Sequence, residues 1–272
     1  MSSSRRRVAV VTGAAQGLGR VIAGSLARDG YDVALVDLAS TTATASEVAE
    51  AGGRAWSSLA DVASEEDVAR VATDCKAEFG AVDVLVNNAG ISAIGPAEAT
   101  SAEQWRHVLD VNLTGPFLLC REFGRQMLST GSGSIVNVAS VAGLRGISHR
   151  VAYNASKHGL VGLTYTLAAE WGGRGVRVNA VCPGWVKTQM DARDQGSGAY
   201  SDNDIEDQVP MGRFAMPADV AAAVVFLANP AQSGFVNGVA LPVDGGWAAD
   251  ASWTSLRLKT RPSPPGQRSA MM

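Results

Sequence analysis

The sequence predicts an α/β fold, a doubly wound domain with a parallel sheet of about seven strands and helices on both faces. Short Val/Ile/Leu runs alternate with longer Ala-rich stretches from residue 8 to about residue 241, with no linker between them. The runs are apolar throughout rather than alternating with polar residues, as strands buried on both faces are. The first run leads straight into a glycine-rich turn and a helix.

Residues 8–11 read as the first strand and 19–28 as the first helix, with Val21, Ile22 and Leu26 at helical spacing. A strand over 33–36, a helix over 40–51 and a weaker strand over 55–59 follow. Residues 64–79 form a helix with Ser64 as N-cap, acids in the first turn and Gly80 as its stop. Strands are expected at 82–86, 135–138, 176–181 and 239–243, with helices that include 111–128 and 152–171. The domain spans 8–247, after a basic N-terminal tail over 1–7. The polar, acidic, Gly-containing segment 189–214 reads as a lid, with a solvated loop as the competing reading. The extension 248–272 carries Arg257, Lys259, Arg261 and Arg268 among three prolines, and suits disorder or docking on a partner subunit.

With 46% hydrophobic and 18% charged residues over 272 positions, the chain is globular in composition. A net charge of −3 offers no basic excess for nucleic acid. The longest unbroken apolar run, 220–228, is nine residues, against roughly 20 for a membrane span. Arg5-Arg6-Arg7 before an apolar run has the look of an export signal, but that run stops at Thr12-Gly13. Cys75, Cys120 and Cys182 are dispersed, which suggests neither a disulfide framework nor a zinc site and fits a cytoplasmic location.

The turn Thr12-Gly13-Ala14-Ala15-Gln16-Gly17-Leu18-Gly19 carries glycines spaced G-x-x-x-G-x-G. At a strand-to-helix junction such glycines permit a tight turn, close approach of a pyrophosphate and close helix packing, and the helix N-terminus favours phosphate. Asp37 closes the second strand about 20 residues on, where a carboxylate accepts from a ribose 2′-hydroxyl and repels a 2′-phosphate. Neither Gln16 nor Leu38 offers the cation a 2′-phosphate needs, so NAD is favoured over NADP. A solvated turn is the competing reading of Asp37. Asp61-Val62 ends the third strand and is a candidate adenine contact.

Ser140 ends a strand, and Tyr153 and Lys157 stand four apart on a helix, sharing a face. A cation beside a phenol favours the phenolate, and such a phenol works as acid or base near neutrality. Together these residues resemble the short-chain dehydrogenase/reductase family, an extended Rossmann type of about this length. The resemblance covers residues 8 to about 246. It rests on Thr12-Gly13-x-x-x-Gly17-x-Gly19, Asn87-Asn88-Ala89-Gly90, Asn112, Ser140, Tyr153-x-x-x-Lys157, Pro183-Gly184 followed by Thr188, and Val243-Asp244-Gly245-Gly246. The long chain after Gly246 departs from many members.

The resemblance implies Tyr153 as catalytic acid/base, with Lys157 lowering its pKa and binding the nicotinamide ribose. Ser140 would hold the substrate oxygen and Asn112 support a water chain to the lysine. Asn88, Ala89 and Gly90 would line the adenosine side, and Pro183, Gly184, Val186 and Thr188 would position the carboxamide. It implies an NAD-dependent secondary-alcohol dehydrogenase, with a 3-oxoacyl reductase-like enzyme or a non-catalytic NAD sensor as alternatives, no metal, and a homo-oligomer, usually a tetramer. Candidate substrate contacts are Val141, Leu144, His149, Arg150, Trp185 and Arg193. Arg150 and Arg193 could clamp an anionic group. The favoured alternative leaves both solvated, with Arg193 paired to Asp191 or Asp194. His107 and His158 read as helix-surface residues.

Overall fold

A computed structural model of the chain describes residues 5–196, 200–253, 255, 256 and 258. In chain order the sheet and its first helices comprise β1 (Arg7–Thr12), α1 (Gly17–Arg28), β2 (Tyr31–Asp37), α2 (Thr42–Glu50), β3 (Ala55–Leu59), α3 (Glu65–Phe79) and β4 (Val84–Asn87). Then come α4 (Ala102–Leu109), α5 (Gly115–Thr130), β5 (Gly133–Val138), α6 (Val151–Trp171) and β6 (Val176–Pro183). The chain continues through α7 (Gln189–Gln195), α8 (Asp202–Gln208), α9 (Pro217–Ala228) and β7 (Ala240–Val243).

All seven strands are parallel, in the order β3-β2-β1-β4-β5-β6-β7. The order reverses between β1 and β4. There the connections leave toward opposite faces, and a crevice opens beyond the strand ends.

The uniformly apolar strands are explained by the two cores they feed. Val8 and Val10 point to a layer with Phe79 of α3 and Phe123 and Met127 of α5. Ala9 and Val11 point the other way, to Ile22 and Leu26 of α1 and Val220, Val224 and Leu227 of α9. Full burial of such a side chain stabilises by about 1.5–3 kcal/mol, so both faces of each strand hold the sheet.

The caps of α3 are those its sequence calls for. Ser64 Oγ accepts from the Asp67 N–H at 3.2 Å, and Gly80 takes φ 82° beyond the last turn. The basic tail expected over 1–7 is tied down where it is described. Arg7 already belongs to β1, Arg5 pairs with Asp83, and Arg6 with Asp32. Within the segment read as a lid, Gln189–Gln195 and Asp202–Gln208 form two short helices. The 3-10 turn Trp247–Ala249 carries the chain from the domain into the extension, and Arg145 donates to the Ala248 carbonyl at 2.7 Å. The basic and proline-rich positions singled out there lie outside the described residues. Among the described residues no helix is long and apolar enough to cross a membrane.

Candidate active site

A cleft of about 450 Å³ runs along the carboxyl ends of the strands. Its floor at one end is the turn between β1 and α1. A Cβ on Gly19 would fall 2.0 Å from the Gly13 carbonyl oxygen, so that glycine lets the loop close on the helix. Gly17 takes φ 55°, and the space beside it is bounded within 4 Å only by Gln189 Oε1. Gln16 caps α1 without a side-chain hydrogen bond, and no acid occupies the first turn. The leading N–H groups of a twelve-residue helix therefore face the cleft without a side-chain acceptor. This open, positively polarised cradle fits a pyrophosphate.

Asp37 anchors the loop and borders the cleft. Its carboxylate accepts from the Ala15 N–H and the Ala39 N–H, each at 2.9 Å. Leu38, Asp61 and Val62 complete that end of the cleft, and no lysine or arginine lines it among the described residues. Asn88 donates from Nδ2 to the carbonyls of Thr12 (2.9 Å) and Gly13 (3.2 Å), tying β4 to the glycine loop. Ala89 and Gly90 line the cleft beside it.

At the other end Ser140, Tyr153 and Lys157 face one space. Ser140 follows β5 by two residues and caps the 3-10 turn Val141–Gly143, its Oγ accepting from the Ala142 N–H at 3.1 Å. Lys157 Nζ lies 5.6 Å from the Tyr153 ring centroid and donates to the Val138 carbonyl at 2.9 Å. Burial lowers the Lys157 ammonium to about 8. The expected lowering of the Tyr153 phenol is not what this structure produces. Burial pushes that phenol up, opposed by hydrogen bonding to Ser140 and the Arg150 charge, because desolvation outweighs the stabilisation of a phenolate. Pro183, Gly184, Val186 and Thr188 line the wall after β6, with Leu18 and Val141 at intermediate positions.

Four candidates stand apart from the cleft. Thr12 is 1% exposed, and its hydroxyl accepts from the Asn88 and Ala89 N–H groups at 3.1 Å each, so it supports the loop rather than a ligand. Asn112 is fully buried in a π-helical turn, Asp110–Thr114. That extra-wide turn aims its amide at Ile91, accepting from the N–H and donating to the carbonyl, both at 2.9 Å. Its Nδ2 also donates to Ser156 Oγ at 3.2 Å. Leu144 packs with Ala139, Leu160 and Cys182 instead of lining the cleft. His149 adopts φ 62°, a left-handed turn that leaves the residue exposed and off the cleft wall.

The substrate end holds Trp185, Arg150 and three residues the sequence reading did not select, Asp191, Asp194 and Tyr200. Trp185 also meets Trp247 edge to face, with centroids 5.0 Å apart. Arg150 is not solvated. It donates to Asp194 Oδ2 at 2.9 Å and Ser92 Oγ at 2.7 Å. Arg193 lies in α7, and its side chain lies outside the described residues. His107, expected on the helix surface, is exposed yet borders the cleft one turn before Val111. Only the packing of α7 and α4 over the strand ends brings these groups to the site, and no local motif marks them.

The family model described as enoyl-(acyl carrier protein) reductase matches residues 13–248. D-threitol dehydrogenase of Mycolicibacterium smegmatis is 44% identical over 89% of this chain and 92% of its own length. The chain belongs to the short-chain dehydrogenase/reductase family. Another member, 2-(S)-hydroxypropyl-CoM dehydrogenase 3 of Xanthobacter autotrophicus, is 39% identical over 90% of this chain and 98% of its own. Among solved structures, a protein of Beutenbergia cavernae provisionally assigned as an NAD(P)-dependent gluconate 5-dehydrogenase superposes with a TM-score of 0.86. It is 45% identical, covers 91% of this chain and 99% of its own, and holds NADP at low occupancy. As a short-chain dehydrogenase/reductase, the chain is an oxidoreductase of a family whose members here act on alcohols and ketones.

Proposed function

We propose that this short-chain dehydrogenase/reductase interconverts a secondary alcohol and a ketone by hydride transfer, uses NAD(H) in preference to NADP(H), and employs Tyr153 as general acid/base. The observation that carries the reading is the convergence of Ser140, Tyr153 and Lys157 at one end of a cleft whose other end is the glycine cradle at the N-terminus of α1. The nicotinamide, when bound, supplies the hydride acceptor or donor. The chain supplies everything else.

Ser140 and Tyr153 hydrogen-bond the substrate oxygen, whose charge changes as carbon is oxidised or reduced. In reduction the Tyr153 phenol gives its proton to that oxygen, and in oxidation the phenolate takes it back. Lys157, anchored on Val138, binds the nicotinamide ribose and keeps a cation beside the phenol. The Asp37 carboxylate accepts from the adenosine ribose hydroxyls, and with no cation on that wall a 2′-phosphate would meet uncompensated negative charge. Pro183, Gly184, Val186 and Thr188 hold the carboxamide.

A homo-oligomer is part of the same reading, supported by Phe117 on α5 and Tyr165 on α6, which are 44% and 49% exposed. The test is cofactor reduction followed by absorbance against secondary alcohols, polyols and hydroxy acids, with NAD and NADP in parallel. Turnover with a higher kcat/KM for NAD is expected. Preference for NADP would overturn the reading of Asp37, and no turnover on any secondary alcohol would overturn the reaction.

A further inference from the structure

Arg150 is the one arginine lining the substrate end among the described residues, and its guanidinium is already engaged. It precedes Tyr153 by less than one turn of α6, at the N-cap of that helix. Asp194 reaches it from α7, and Ser92 from the segment after β4. The paired side chains are 13% and 12% exposed, so the ion pair is largely withdrawn from solvent. Both charges lie near enough to act on the Tyr153 phenol, Arg150 lowering its pKa and Asp194 raising it.

The second carboxylate of α7 is also committed. Asp191 is 7% exposed, accepts from the Tyr200 hydroxyl at 3.1 Å and lies 3.5 Å from Lys187 Nζ. Lys187 bonds Asp202 as well. Among the described residues, the substrate end beyond Tyr153 and Lys157 thus presents hydroxyls and carboxylates, with Arg150 and Lys187 already paired. A neutral alcohol bearing further hydroxyls finds donors and acceptors there. A carboxylate, sulfonate or phosphate must share Arg150 with Asp194, and two anions on one poorly solvated guanidinium repel.

We propose that Asp194 is a specificity-determining residue, selecting neutral hydroxylated alcohols and excluding anionic ones by occupying Arg150 beside Tyr153. The substrate class so named rests on the function proposed above, but the charge filter can be measured without turnover. Removing the Asp194 charge leaves Arg150 partly buried, bonded to Ser92 but without a counter-charge, a state that recruits an anion from solution.

The test uses 1,2-propanediol and lactate, which share a carbon skeleton and a secondary alcohol but differ by a carboxylate. Binding is followed by Trp185-sensitive fluorescence on the full chain saturated with NADH or NADPH, in wild type, Asp194→Asn, and Asp194→Asn with Arg150→Ala. Lactate should bind at least tenfold more tightly to Asp194→Asn than to wild type, with the diol-to-lactate preference falling by at least that factor. Adding Arg150→Ala should erase the gain. Asp194→Ser serves as a second variant, and circular dichroism confirms folding of each. An unchanged ratio, a gain that survives Arg150→Ala, or no lactate binding in either single variant overturns the proposal. Turnover on the same panel reports separately on the reaction. A charge switch without turnover upholds the filter and fails the function, and turnover without a charge switch does the reverse.

Discussion

Lys157 follows Tyr153 by one turn of α6, with its Nζ 5.6 Å from the tyrosine ring centroid, yet its hydrogen bond goes to the Val138 carbonyl of β5. The strand therefore sets where the ammonium sits relative to the phenol. Burial moves the two pKa values apart, lowering the lysine to about 8 and raising the tyrosine. The phenol is held protonated, ready to act as an acid, and must lose its proton before acting as a base.

Tyr153→Phe removes that proton. kcat should fall by about 10²–10⁴-fold while dinucleotide affinity changes by only a few-fold. In the wild type, kcat/KM for oxidation should climb through the alkaline range, because the folded-state phenol titrates above its ordinary value. A pH-independent oxidation rate across that range, or full activity in the phenylalanine variant, contradicts Tyr153 as the base.

Lys157 also makes a stability prediction. Its folded pKa of about 8 lies below the ordinary 10.5, so between those values the unfolded chain binds more protons than the folded one. The wild type should therefore gain stability as pH rises through this window. Against Lys157→Met, denaturant unfolding should show a relative gain of about 2 kcal/mol on going from roughly pH 7.5 to 9.5. A flat difference would mean that the lysine is not desolvated in the folded state.

Asp37→Ala removes a carboxylate that accepts two backbone N–H groups and faces the cleft. A hydrogen bond to a charged group is worth about 1.5–3 kcal/mol, so kcat/KM with NAD should drop by roughly tenfold or more. With NADP it should hold or rise, because the repulsion is gone. Parallel steady-state kinetics with the two cofactors decide the matter.

Asn112→Ala tests a residue that never reaches the cleft. It leaves the Ile91 N–H and carbonyl without their partner. Both groups are partly buried, so the orphaning costs less than two full buried penalties, and urea unfolding should show a loss of about 1–3 kcal/mol. Because Ile91 lines the cleft beside Gly90, kcat/KM should fall as well. Unchanged stability would argue against the π-turn as the brace of this wall.

Gly19→Ala places a Cβ 2.0 Å from the Gly13 oxygen, a contact the loop can relieve only by opening. Dinucleotide binding, read by titration of NADH fluorescence, should weaken by well over tenfold. The protein should remain folded, since the clash is confined to one turn.

The order of elements, the two-faced burial of the strands, the glycine turn, the acid that closes β2 and the Tyr153/Lys157 pair were legible in the sequence. Each is written in neighbouring residues, through helical spacing, apolar runs or a turn that tolerates only glycine. The tertiary structure decided what lies between segments far apart in the chain. The wide turn at Asp110–Thr114 buries Asn112 behind Gly90 and Ile91 of the cleft wall, Leu144 packs against the core, and a left-handed backbone turns His149 out. Arg150 meets Asp194 across 44 residues because α7 folds over the strand ends. Which charge neutralises which, and whether a phenol is stabilised or desolvated, depends on distance and burial in three dimensions, and neither is a property of local sequence.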